Sequence, residues 1–169
     1  MRRQNGFSLL ELLIVVGVIL IIAVIAVPHL LRAKIAANES SAVQTVRQIS
    51  TAELSYHTTY SFIGYAPDLK SLGGPPVACS PSPASACIVD SEITGGNKSG
   101  YAFFAAGFAP AGSPTNTQFV ASSAPWVYNK TGTRNFCIAT DDGALRAILG
   151  SLGLTPAPDV PTCIAYPPM

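Results

Sequence analysis

Residues 7–27 form an apolar run with one charged member, Glu11, and this run limits what the chain can become. Twenty-one residues coiled as a helix extend ~31 Å, close to the ~30 Å hydrocarbon core of a bilayer. Ahead of the run stand Met1-Arg2-Arg3-Gln4-Asn5-Gly6, basic and polar. Arginines flanking a span stay on the cytoplasmic side, so the rest of the chain is carried outward. A secretory signal peptide has an apolar core of about 7–15 residues and a small-residue cleavage site after it. This run is longer, and it continues through Pro28-His29-Leu30-Leu31-Arg32 into more helix-compatible sequence. A plain signal anchor has the same hydropathy and stays open as an alternative.

Glu11 separates these readings. It is the only ionisable residue between Arg3 and His29, one helical turn beyond Phe7. A carboxylate at the bilayer centre costs about 2.5–3.5 kcal/mol on insertion scales, and less near an end. Glu11 is then either a polar residue tolerated near a helix end or an acid that needs a positive partner inside an assembly. Cleavage after Gly6, the small residue at the polarity change, supplies such a partner: the new α-amine of Phe7.

The string Gly6-Phe7-Ser8-Leu9-Leu10-Glu11-Leu12-Leu13-Ile14 resembles the cleavage and methylation motif of type IV prepilins and type II secretion pseudopilins. The resemblance implies cutting between Gly6 and Phe7 by a membrane prepilin peptidase, which also N-methylates Phe7. It implies that Glu11 neutralises the Phe7 amine of a neighbouring subunit in a helical homo-oligomeric filament raised by a pilus assembly platform. Pro28 matches a family position where the helix bends or locally melts. Proline there removes a backbone hydrogen bond and crowds the preceding turn.

Beyond Pro28 the pattern turns amphipathic. Ile35, Ala42, Val46, Ile49, Ala52 and Tyr56 share one face, with Glu53 in the same spacing, while Arg32, Lys34, Glu39, Gln44, Arg47 and Gln48 lie mainly elsewhere. No Gly or Pro interrupts residues 33–62, so one helix is expected from about Phe7 to about Tyr60. Its exit, Gly64-Tyr65-Ala66-Pro67 followed by Asp68-Leu69-Lys70-Ser71-Leu72-Gly73, is similar to that of major pseudopilins and small-headed pilins.

The Gly- and Pro-rich remainder favours turns and strands. Residues 101–106, 118–123, 134–139 and 144–148 read as short strands. The last two flank Asp141-Asp142-Gly143, a hairpin signal. The expected fold is α+β and pilin-like: a long N-terminal helix whose outer half packs on an antiparallel meander of three or four strands. The expected organisation is a leader at 1–6, a transmembrane and filament-core helix at 7–27, and an amphipathic helix at 28–60. A connecting loop at 61–98 and a sheet head at 99–169 follow, the head ending in a disulfide-tied tail. Cys79, Cys87, Cys137 and Cys163 are even in number and contain no CxxC pair. In an exported chain this favours two disulfides over a zinc site or free thiols. Three connectivities are open; the shortest loops come from Cys79–Cys87 and Cys137–Cys163, the expected pairing, with the second tying the tail to the sheet edge.

Charged residues are 11% of the chain, against a globular norm of roughly 25%, which fits burial in lipid or interfaces. A formal charge of +1 gives no electrostatic case for a direct nucleic-acid site. No nucleophile set, phosphate loop or HExxH motif occurs, so neither catalysis nor a cofactor is expected. Asp141 and Asp142 are the only calcium candidates, and adjacent acids on a tight turn are ordinarily turn residues. The expected function is a filament subunit serving adhesion, motility or DNA uptake. It starts as a single-pass inner-membrane protein with a cytoplasmic N-terminus and ends in an extracellular pilus. The alternatives are a pseudopilin in a periplasmic pseudopilus driving protein export, and a membrane-anchored extracytoplasmic binding domain.

Overall fold

The computed structural model describes residues 8–75 and 77–169, with backbone alone at 152. A run rich in Leu, Ile, Val and Ala, followed by the Gly- and Pro-free residues 33–59, gives the helix α1, Leu9–Thr59, 51 residues long. Pro28 lies inside α1 and does not end it. Residues 1–34 and 35–169 form separate compact units. Among the described residues of the first unit the large apolar side chains are exposed, with Ile14 at 56%, Ile21 at 67% and Val24 at 74%.

In the second unit α1 buries Glu39, Ala42, Thr45, Val46, Ile49, Ala52, Glu53 and Tyr56. Steps of three and four keep these residues on one helical stripe. Ile35 is only half-buried, whereas Glu39, expected off this face, is buried on it. The reason is a set of charged and polar partners across the interface, described below.

Five strands form one antiparallel sheet in the order β1-β2-β3-β4-β5: Asn97–Lys98, Tyr101–Phe108, Gln118–Pro125, Arg134–Ala139 and Arg146–Leu149. The expected α+β architecture is therefore the observed one, with five strands where three or four were anticipated. The extra strand, β1, has two residues and no hydrophobic alternation to betray it. It pairs with β2 because Ser99 and Gly100 take φ of 49° and 75°. A two-residue turn with both φ positive matches the twist of paired strands.

Alternation along β3 and β4 divides the core. Phe119, Ala121, Phe136 and Ile138 join Ala42, Val46, Ile49, Tyr56, Tyr101 and Phe103 on the helix side. Val120, Cys137 and Ala139 face the opposite side and pack on Ala157, Val160, Cys163 and Tyr166. The tail thus covers the second face of the sheet and is not a strap at its edge. The short helix α2, Ser91–Thr94, precedes the sheet, and α3, Val160–Ile164, lies in the tail. Ser122 Oγ donates to Ala157 O at 2.8 Å and Asn135 Nδ2 to Gly153 O at 2.8 Å, fastening the tail down.

Residues 61–98 are more ordered than a plain loop. Asp68 caps the 3-10 turn Leu69–Leu72, accepting from Ser71 N–H. The segment from Ala86 to Val89 donates backbone bonds back to Ser71, Leu72 and Gly73. At Gly107 a Cβ would come within 2.7 Å of Ala66 O, so the helix exit and β2 approach closely because that residue is glycine.

Candidate functional site

The N-terminal site begins outside the described residues: Gly6, Phe7 and the bond between them lie there. The description starts at Ser8, whose carbonyl accepts from Leu12 N–H at 3.2 Å, closing the first turn. Glu11 lies in that turn, where unpaired backbone N–H groups and the helix dipole favour an anion. Its side chain is exposed among exposed leucines: Leu9 at 82%, Leu10 at 67% and Leu12 at 60%. Among the described residues Glu11 makes no ion pair. Pro28 is exposed within the same helix. The segment therefore offers a continuous apolar surface carrying one carboxylate near its start. Such a surface binds lipid or other helices, and the carboxylate selects a partner with a positive charge.

Two acids fasten α1 to the head, and sequence reasoning gave neither a partner. Glu39 Oε2 receives two bonds from Arg134, from Nε at 3.0 Å and Nη2 at 2.8 Å. Its Oε1 accepts from Thr133 N–H at 2.8 Å and from the Thr133 hydroxyl. Burial pushes the Glu39 carboxyl up, but the bonds from Thr133 and Arg134 together outweigh it and hold the group below its ordinary value. Beside it Asn38 Nδ2 donates to Thr131 O at 2.9 Å, so consecutive helix residues grip the strand β4 approach.

Glu53 is the opposite case. It is wholly buried and accepts one bond, from Ala66 N–H to Oε2 at 2.8 Å. Its other oxygen has no hydrogen-bond partner among the described residues. Burial pushes its pKa up to about 8, and the negative charge of Asp68 adds to the rise. Near neutrality the group is predominantly protonated and holds the helix exit as a neutral acid. The signal for both residues was present in the spacing: each carboxylate falls in the periodic apolar stripe.

The four cysteines form disulfides Cys79–Cys87 and Cys137–Cys163. The first closes a loop beside the 3-10 turn, and the second joins β4 to α3 across the tail-covered face. Asp141 and Asp142 sit on the β4–β5 turn with protein partners of their own. Gln118 Nε2 donates to Asp141 at 3.3 Å, and Arg146 pairs with Asp142. The Ala144 N–H and then the Arg146 guanidinium hold the Asp142 carboxyl below the usual carboxylate range. These contacts account for both acids as turn residues.

Comparison with known proteins bears on the N-terminal site first. Residues 1–27 match the family described as the prokaryotic N-terminal methylation motif. The type IV major pilin protein PilA of Myxococcus xanthus (strain DK1622) is 36% identical over 73 residues, covering 39% of this chain. The match spans 33% of that pilin's length, about one third of it. No solved structure matches the chain. In its methylation motif on an apolar helix, its sequence and its antiparallel sheet packed on the helix's later turns, the chain is similar to type IV pilins.

Proposed function

We propose that the chain is a structural subunit of a type IV pilus. Prepilin peptidase removes residues 1–6 and N-methylates Phe7, and residues 7–27 hold the protein in the inner membrane with its N-terminus cytoplasmic. An assembly platform then draws it into a helical filament of identical subunits. The amphipathic part, 28–60, carries the connecting segment 61–98 and the head 99–169 to the filament surface. Adhesion, motility or DNA uptake are the tasks such a filament serves.

One observation carries this reading: Glu11 stands exposed on a helix whose large apolar side chains are exposed throughout residues 9–27. Lipid covers the apolar groups but leaves the acid near the span's end without a counter-charge. A neighbouring subunit covers both, because its Phe7 amine meets Glu11 while its helix meets the apolar stripe. A desolvated pair of this kind is favourable only when both partners are present and well hydrogen-bonded.

The test is Glu11→Ala, expressed in place of the native chain. Membrane insertion is expected to persist, because removing a charge eases insertion. Filament incorporation is expected to fall at least ~tenfold, the consequence of losing about 1.4 kcal/mol per subunit contact. Equal filament yields from mutant and native protein contradict the assignment.

A further inference from the structure

The chain has one tryptophan, Trp126, and it is 57% exposed. Indole is among the largest apolar groups a fold has to bury, and its exposure forgoes that stabilisation. Yet the ring is not loose. Trp126 follows the last residue of β3, and its backbone N–H donates to Gly100 O at 3.0 Å. Its indole Nε1–H donates to Asn97 Oδ1 at 3.2 Å. Backbone and ring are thus both tied to the β1–β2 turn, and no aromatic neighbour stacks on the ring among the described residues.

A cleft of about 300 Å³ opens against this ring, and Glu92, Asn97, Lys98 and Ser99 contribute to its wall. The rim carries both donors and acceptors. Glu92 and Lys98 face each other at 4.0 Å, too long for a direct hydrogen bond. The Asn97 amide nitrogen has no protein acceptor among the described residues, its oxygen being taken by the indole. The site therefore combines one flat, orientation-locked apolar face with a border that gives and accepts hydrogen bonds.

That combination selects among ligands. A wholly apolar guest would strip water from Glu92 and Lys98 without replacing it. A quaternary ammonium is held by a cage of several rings, and here there is one. A simple anion meets the Glu92 carboxylate. A pyranose matches both halves: the axial C–H groups of one face lie on the indole, and the equatorial hydroxyls meet the carboxylate, amide and ammonium. We propose that the Trp126 cleft is a saccharide-binding site for a neutral hexopyranose or N-acetylhexosamine, with Glu92, Asn97 and Lys98 as its hydrogen-bonding rim.

Because Trp126 is the sole tryptophan, tryptophan emission reports this cleft alone. The full chain in a non-glycosidic detergent is titrated with galactose, glucose, N-acetylglucosamine, lactose and chitobiose, with sorbitol as the osmolyte control. At least one sugar is expected to give a saturable emission change, with Kd on the order of 1 mM for a single-ring site. On beads carrying that sugar, Trp126→Ala is expected to lose at least ~tenfold in affinity with an unchanged Tm, while Trp126→Phe retains part of it. Three results overturn the proposal. One is a linear, sorbitol-like response to every sugar; another is equal retention of Trp126→Ala and native protein. The third is emission that shifts only with protein concentration, which places a second copy of the chain in the cleft.

Discussion

Glu53 has no access to water, and its two oxygens are treated unequally, one accepting from Ala66 N–H and one unpartnered. Burial raises its pKa from 4.5 to about 8. The folded chain therefore keeps this proton across a range where the unfolded chain has shed it. The associated stabilisation is complete below about 4.5, declines as pH rises, and is gone above about 8. Glu39 acts in the other direction: its lowered pKa makes its contribution present above the ordinary glutamate range and lost as pH falls through the folded value. Denaturant midpoints of the head are thus expected to fall steadily from pH 5 to pH 8. Glu53→Gln, which stays neutral and keeps an acceptor for Ala66, is expected to flatten that decline. A decline of the same slope in Glu53→Gln contradicts a protonated Glu53. Glu39 was misplaced from sequence for a definite reason. A glutamate reads as solvent-facing until its partners are known, and Thr133 and Arg134 lie 94 and 95 positions away.

Two covalent closures stabilise elements of different kinds. Cys79–Cys87 spans 8 positions and pins a surface loop, whereas Cys137–Cys163 spans 26 and joins a central strand to the tail helix. Chain-entropy reasoning assigns about 2.5 kcal/mol to the shorter loop and about 3.5 kcal/mol to the longer. Cys137 and Cys163 are also wholly buried, so replacing both with alanine removes packing against Val120 and Val160 as well. The prediction is a larger loss of denaturant midpoint for Cys137→Ala/Cys163→Ala than for Cys79→Ala/Cys87→Ala; the reverse order contradicts the tail's role as a second core layer. The β4–β5 hairpin was legible because an Asp-Gly turn separates two short, largely apolar runs. The helix stripe was legible because its period holds from Ala42 to Tyr56. β1 was not, since two residues carry no period. The tail's position over the second sheet face was not legible either, because a Pro-rich segment has no hydrophobic period to place it. The burial of both faces of β3, by contrast, shows in its apolar and small residues once the tail is in place.

Taken whole, the molecule divides its labour between a segment that leaves its apolar surface uncovered and a head that builds a buried core of its own. The head's core has two layers, α1 on one side of the sheet and the disulfide-tied tail on the other. The N-terminal segment was the most legible part of the sequence, because a run long enough to cross lipid, interrupted only by Glu11, has few physical solutions. In the proposed filament its partner is the least visible feature, since the counter-charge would arise only when the leader is removed and only on another copy. The proposed assembly through Glu11 therefore depends on the chemistry at Phe7. The most direct measurement is mass spectrometry of the N-terminal peptide from protein purified out of surface filaments. The account predicts a chain beginning at N-methylated Phe7; a chain still beginning at Met1 contradicts it.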